Sequence, residues 1–393
     1  MEVISLVPSP EPRPPRRPPG NPRVALHVSH WPQADRLAWE RAQKPGNPLQ
    51  RPGAACSWRP ATRKSAAGAY GRWLAFLAAR GELDLQTEGA QPAAQHITEE
   101  RMHDYVEQLR TGCSTGTTAS YLALLVMMAK ALAPKRDWAW LQEMQKQLQF
   151  GAVPVRNKRL RMVPAGELFR LGLELMHAAD ARTAEAGLTR HAAQVYRDGL
   201  MISLLASRPL RLKNFVEIKI GQHLVQASKA YALTFVPRET KTEKALDYTI
   251  LNHLVLPLEH YLATYRPFLL ALRETRGQSR SEALAPAGNA LWVTQYGTGF
   301  SPNAVRQALK KHTTARFGKY VNPHLFRDCA ASSIANEDPE HVRIAAQVLG
   351  HTQFTTTETY YIQAEAGVAT RGYHAQIMAL RRGAKKRRHG RHD

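Results

Sequence analysis

Cysteine is scarce in this chain. Cys56, Cys113 and Cys329 are the only three, far apart and odd in number. That argues against a disulfide framework and against a Cys-type zinc site, and it fits a reducing cytosol. Acid is also scarce: 32 Asp and Glu stand against 54 Lys and Arg, a net charge of +22. No run of about 18 consecutive apolar residues occurs, so no membrane span is expected. The opening MEVISLVPSPEPRPPRRPPG lacks the basic-then-apolar order of a secretory signal, so a cytoplasmic protein is expected. There is no H-E-x-x-H, no Cys–His ligand spacing and no paired-carboxylate cluster of the two-metal nuclease kind. A G-x-x-x-x-G-K-[ST] phosphate loop is missing as well. Neither a metal nor another cofactor is therefore expected.

What the chain does hold is positive charge on a folding composition. Hydrophobic residues make up 44% of 393, enough for two domains with cores of their own. A cationic excess of this size points first to a polyanion, most often nucleic acid.

Residues 1–58 carry roughly half of the 25 prolines and little hydrophobic periodicity. They read as a Pro-rich basic arm, extended or disordered, because proline lacks an amide donor and restricts its neighbour. Within it, WPQADRLAWERAQ is expected to form one helical turn or two. Residues 59–150 read as a compact unit of four helices. In ATRKSAAGAYGRWLAFLAARG, Tyr70, Trp73, Leu74 and Leu77 share one stripe and the helix stops at Gly81. Residues 151–163 form a basic linker. Residues 164–382 form a second domain, helical except for a small antiparallel sheet in VEIKIGQHL and YALTFVPRETKTEKALDYTIL, with Lys241 at or near a hairpin tip. Residues 383–393 are a basic tail. The expected fold class is mainly α with a small antiparallel β-sheet.

Four stretches carry possible chemistry. In PHLFRDCAASSIANE, Pro323 suits a first helical turn, and His324 and Arg327, three apart, share a face. An imidazole and a guanidinium converging on one point suit a phosphate or carboxylate. In HVRIAAQVLGHTQFTTTETYYIQA, Val342, Ala345, Ala346 and Leu349 make a buried stripe, and Gly350 can end that helix and project His351. Thr355 to Glu358 fits a capping box that opens a new helix. Tyr360 and Tyr361 then point about 100° apart, so at most one faces the site of His351. In SLLASRPLRLKNFVEIKIG, Arg211 stands between an apolar helix and the first strand, with Arg208 and Lys213 as neighbouring alternatives. Lys241 and its rival Lys244 lie in the hairpin segment.

Together these stretches resemble the tyrosine recombinases, the phage integrase family, over residues 60–380. P-L-R-L-K-N-F, with Arg211, matches the family's G-L-R-x-x-E-L. H-L-F-R gives its H-x-x-R box in His324 and Arg327, and Leu349-Gly350-His351 its L-G-H box. The family's nucleophilic tyrosine comes nine residues after that histidine, which selects Tyr360. T-K-T matches the hairpin lysine in Lys241. One position departs: Asn214 stands where the family often has an acid that orients the first arginine. Asn can still accept a hydrogen bond there.

The resemblance implies a helical core-binding domain followed by a catalytic domain. It implies a site-specific recombinase or integrase that cleaves and rejoins DNA through a 3′-phosphotyrosine link. Its partners would be double-stranded DNA sites, a homotetramer assembled on them and, in some systems, accessory proteins or sister recombinases. The helical segment after Tyr360 would pack on a neighbouring protomer. The roles follow from the chemistry. A phenol of pKa about 10 is only about a thousandth ionised at neutral pH and needs help to attack. Arg211 and Arg327 would clamp the non-bridging oxygens with forked donors, and His351 would add a further donor. His324 would take or shuttle the nucleophile's proton, and Lys241 would protonate the departing 5′ oxygen. Two alternatives stand beside this reading: a type IB topoisomerase that relaxes supercoils without exchanging partners, and a non-catalytic DNA-binding factor on the same scaffold.

Overall fold

The computed structural model describes residues 24–47, 51–83, 92–152, 158–227, 230–272 and 286–337. The chain divides into two compact units, Met1–Arg156 and Asn157–Asp393. Both are built mainly from helices, and a three-stranded antiparallel sheet lies in the second.

In the first unit, α1 (Gln33–Gln43), α2 (Pro60–Ala79), α3 (Glu99–Gly112), α4 (Thr115–Leu132) and α5 (Ala139–Phe150) enclose one core. Pro60 occupies the first turn of α2, where its missing amide costs nothing. The expected stripe is its buried face, for Tyr70, Trp73, Leu74 and Leu77 are all inaccessible to water. Thr98 and Ser114 cap α3 and α4 with their side-chain oxygens. By length and hydropathy α4 would suffice to cross a membrane. In this fold it is instead the central helix, packed against α1, α2, α3 and α5.

The expected arm is the first correction. Of residues 1–58, the described part from residue 24 onward belongs to this core. WPQADRLAWERAQ is a three-turn helix rather than one turn or two, and Trp31, Ala38, Trp39 and Ala42 are buried. The cause is the two tryptophans, whose large apolar area outweighs the local proline content. Leu26 donates its amide to the Gly71 carbonyl of α2 at 3.0 Å. A Cβ on Gly71 would stand 2.3 Å from the Leu26 carbonyl, so only glycine admits this crossing.

In the second unit, α6 (Ala165–Ala186) and α7 (Arg190–Ser207) pack in close contact through Gly172 and Gly199. A Cβ on Gly172 would lie 2.5 Å from the Gly199 carbonyl. The short α8 (Leu212–Val216) leads to β1 (Leu224–Ala227), β2 (Ala230–Phe235) and β3 (Leu246–Thr249), paired in that order. Leu224 sits opposite Leu233, and Leu233 opposite Tyr248. The sheet therefore begins later than VEIKI. Ile218 and Ile220 exchange backbone hydrogen bonds with Leu291 and Asn289 instead. A helical run follows, formed by α9 (Asn252–His260), a π turn (Tyr261–Tyr265) and α10 (Arg266–Ala271). Then come α11 (Pro302–Phe317) and α12 (Pro323–Glu337).

The linker is the second correction. Lys158–Val163 are fastened to the second unit. Arg161 donates to the Tyr320 carbonyl at 2.8 Å, and Lys319 donates to the Leu160 and Met162 carbonyls. Val163 is buried in that unit's core.

Candidate active site

Helix α12 starts where Pro323 occupies its first turn and Asn322 accepts the amide of Leu325 at 3.0 Å. The start places His324 on the exposed side and turns Arg327 inward, 7% exposed. Arg327 donates to the carbonyl of Pro209, in the turn between α7 and α8. That turn is tight, with the Leu210 amide on the Arg208 carbonyl at 2.8 Å. Arg211 follows, immediately before the first residue of α8. One hydrogen bond thus ties the segment bearing Arg211 to the helix bearing His324 and Arg327.

The electrostatics show that these groups share a site. Burial, and then the like charge of Arg211, push the Arg327 guanidinium down to about 10, still fully charged at neutral pH. Partial desolvation lowers the pKa of His324, and Lys158, Arg327 and Arg211 lower it further against the opposing pull of Asp328. His324 is therefore a neutral imidazole at pH 7, able to accept a proton. Two guanidiniums held this close repel one another, and a bound anion such as a phosphate relieves that repulsion.

Three of the six candidates, Arg211, His324 and Arg327, are brought together. Lys241 and Lys244 both lie exposed in the loop joining β2 to β3. His351 and Tyr360 lie outside the described residues, as do Tyr361, the capping box at Thr355, the helical segment after Tyr360 and the basic tail. The amide nitrogen of Asn214 donates to the Glu239 carbonyl at 3.1 Å, a contact that reaches the loop bearing Lys241. Only the nitrogen of that amide can face a carbonyl, so the side chain's orientation is fixed by chemistry.

The site also contains residues that sequence reasoning passed over. Tyr248 of β3 lies against Arg208, whose guanidinium carbon is 5.9 Å from the ring centre. Burial raises its phenol, while Arg327, Arg208 and Arg211 pull the other way. A signal was present: in LDYT, Leu246 and Tyr248 alternate with exposed Asp247 and Thr249. Asp328 is buried beside Arg327 and pairs with Lys158 at 3.5 Å. Nothing in the sequence brings Lys158 to α12.

The model of the phage integrase family matches residues 173–366, a span that includes all six candidates. Tyrosine recombinase XerC of Azotobacter vinelandii is 30% identical over 164 residues, 42% of this chain and 47% of that protein. Tyrosine recombinase XerC of Pseudomonas syringae pv. tomato is 30% identical over 195 residues, 48% of this chain and 56% of that protein. The chain thus spans about half the length of these curated relatives. The crystal structure of the XerH site-specific recombinase bound to a palindromic difH substrate superposes with a TM-score of 0.51 at 13% identity. It covers 88% of this chain and 95% of that one, a likeness of fold. Through residues 173–366 the chain belongs to the phage integrase family, that of the tyrosine recombinases.

Proposed function

We propose that this protein is a site-specific DNA recombinase that cleaves and rejoins strands through a 3′-phosphotyrosine link. The observation that carries the reading is the meeting of Arg211 and Arg327 beside a neutral His324, from distant parts of the second unit. The phenol oxygen of Tyr360 attacks the scissile phosphorus and gives up its proton to His324. Arg211, Arg327 and His351 hold the non-bridging oxygens as charge gathers on them. The P–O5′ bond breaks, and Lys241 supplies the proton that the departing 5′ oxygen takes up. The link stores the energy of the phosphodiester. A 5′ hydroxyl of a partner strand reverses the step without any external energy source. Exchange between two duplexes requires several protomers, and we assign the protein a tetrameric working form on paired DNA sites, in the cytoplasm.

The test is covalent trapping. The full chain is incubated without added metal on nicked duplexes tiled across the DNA flanking its gene, and the products are run on a denaturing gel. The expected result is a protein–DNA adduct on at least one duplex, retained by Tyr361→Phe and lost by Tyr360→Phe. Tight binding to one duplex with no adduct from the wild type would overturn the reading.

A further inference from the structure

The loop between β2 and β3, residues 236–245, carries both candidate lysines. Thr240 is its one buried residue, so the loop is placed by polar contacts rather than by packing. Those contacts converge on Glu239. Its carbonyl accepts the Asn214 amide at 3.1 Å. One of its carboxylate oxygens accepts the Val236 amide at 3.1 Å, and the other lies 3.3 Å from Nε2 of His223. Nδ1 of His223 accepts the Lys219 amide at 3.1 Å, which leaves the ring proton on Nε2; there Glu239 is a close charged neighbour rather than an aligned hydrogen-bond acceptor. The ring is buried and stacked on Phe235, with centres 4.8 Å apart. Immediately after Glu239, the Thr240 hydroxyl accepts the Lys244 amide and donates to the Lys244 carbonyl, closing the turn. Lys241 is therefore two residues from a clamp made by Asn214 of α8, His223 ahead of β1, and Glu239.

We propose that Asn214, His223 and Glu239 are positioning residues that set the reach of Lys241 toward the departing 5′ oxygen. This deepens the catalytic reading above and rests on it. At Asn214 this chain uses an amide to hold the lysine loop, where an acid would meet the Glu239 carbonyl with repulsion. The apolar contacts of the sheet through Leu224 and Leu233 lie outside the clamp. Loss of the clamp moves the lysine without dissolving the sheet.

The experiment uses the duplex on which the wild type forms its adduct, prepared with oxygen or with sulfur at the 5′ bridging position of the cleaved phosphate. A thiolate leaves without a proton, because a thiol has a pKa of about 8.5. The sulfur substrate therefore removes the need for the lysine. On oxygen, Asn214→Ala, Asn214→Asp and Glu239→Ala should each slow adduct formation by roughly 100-fold, the expected cost of a small misplacement. On sulfur they should match the wild type, as should Lys241→Ala. Glu239→Gln keeps the acceptor for Val236 but turns its amide nitrogen toward Nε2–H of His223, so it should lose part of the oxygen activity, less than Glu239→Ala. Equal losses on oxygen and sulfur, or no loss on oxygen, would overturn the clamp while leaving the recombinase reading intact. Absence of any wild-type adduct would remove that reading and the clamp with it.

Discussion

In the first unit Asp35 lies buried against Tyr70 and His96; in the second, Asp198 lies buried against Arg197 and His312. Each aspartate meets a histidine, and the two environments drive their carboxyls in opposite directions. Burial raises Asp35 despite the amide of Ala94 and the hydroxyl of Tyr70. Burial, together with the charges of Arg101 and Arg136, pushes His96 down to about 4. At Asp198 burial pulls upward too, but Arg197 and His312 outweigh it and the carboxyl stays ionised. Arg197 completes its bonding on the Val293 carbonyl at 2.8 Å and stacks over Phe300. The carboxyl that lies directly against a guanidinium is held down, and the one that meets a hydroxyl and a backbone amide is pushed up by burial.

The largest effect expected from breaking that contrast is at Arg197. Arg197→Met strands the buried carboxylate of Asp198 and should cost about 3–5 kcal/mol, read as faster hydrogen exchange throughout α7 and α11. Equal exchange in variant and wild type would mean that Asp198 is neutral. Among the described residues of the second unit, Arg327 is the other buried arginine. On the proposed reading it holds the scissile phosphate, so Arg327→Ala should cost the reaction about 2.7–4 kcal/mol of barrier. DNA binding should be left largely intact, because a chain with a net charge of +22 has many other cations to set against the phosphates. Joint loss of binding and cleavage would make Arg327 structural.

Acid separates the two units next. The folded pKa of His96 lies below the unfolded value of 6.5, so the unfolded state binds the extra proton. The first unit's stability is thus full above about pH 6.5 and falls as the pH drops toward 4. The fall is at most about 3 kcal/mol at 1.4 per unit, less the part that Asp35 returns by protonating early. Asp198, with its pKa depressed, stabilises the second unit down to below the ordinary carboxylate range. Segment-resolved hydrogen exchange at pH 7 and pH 5 should show loosening around Tyr70 and His96 and none around Arg197. A smaller effect comes from the helix crossing. Gly172→Ala sets a Cβ 2.1 Å from the Ser203 hydroxyl and should cost about 1–3 kcal/mol in thermal unfolding. The smallest should be alike in both units: Thr98→Ala and Ser301→Ala each remove one helix cap, for about 1 kcal/mol.

The helices of the first unit were legible because their signals are local. The stripe of Tyr70, Trp73, Leu74 and Leu77 and the stop at Gly81 need no knowledge of neighbours. The buried role of Trp31 and Trp39 was hidden by the surrounding prolines, which mark extended chain in isolation. In the second unit the sheet was legible from its β-branched and aromatic residues. The use of VEIKI was not, since its partners at Asn289 and Leu291 lie some seventy residues away. At the site, spacing placed His324 and Arg327 on one face, and the resemblance to the family selected Arg211 over Arg208 and Lys213. The partners of Asn214, and the presence of Tyr248 and Lys158, were out of reach.

By itself the sequence determined the fold class, the positive charge, the family and the identity of the candidate catalytic residues. Each of these depends on composition or on order along the chain. Only the tertiary structure decided that residues 24–47 join the first core, that Lys158–Val163 are tied to α12, and that Asn214 holds the lysine loop. Those outcomes depend on which donor meets which acceptor across long sequence separations, and such meetings are fixed by packing.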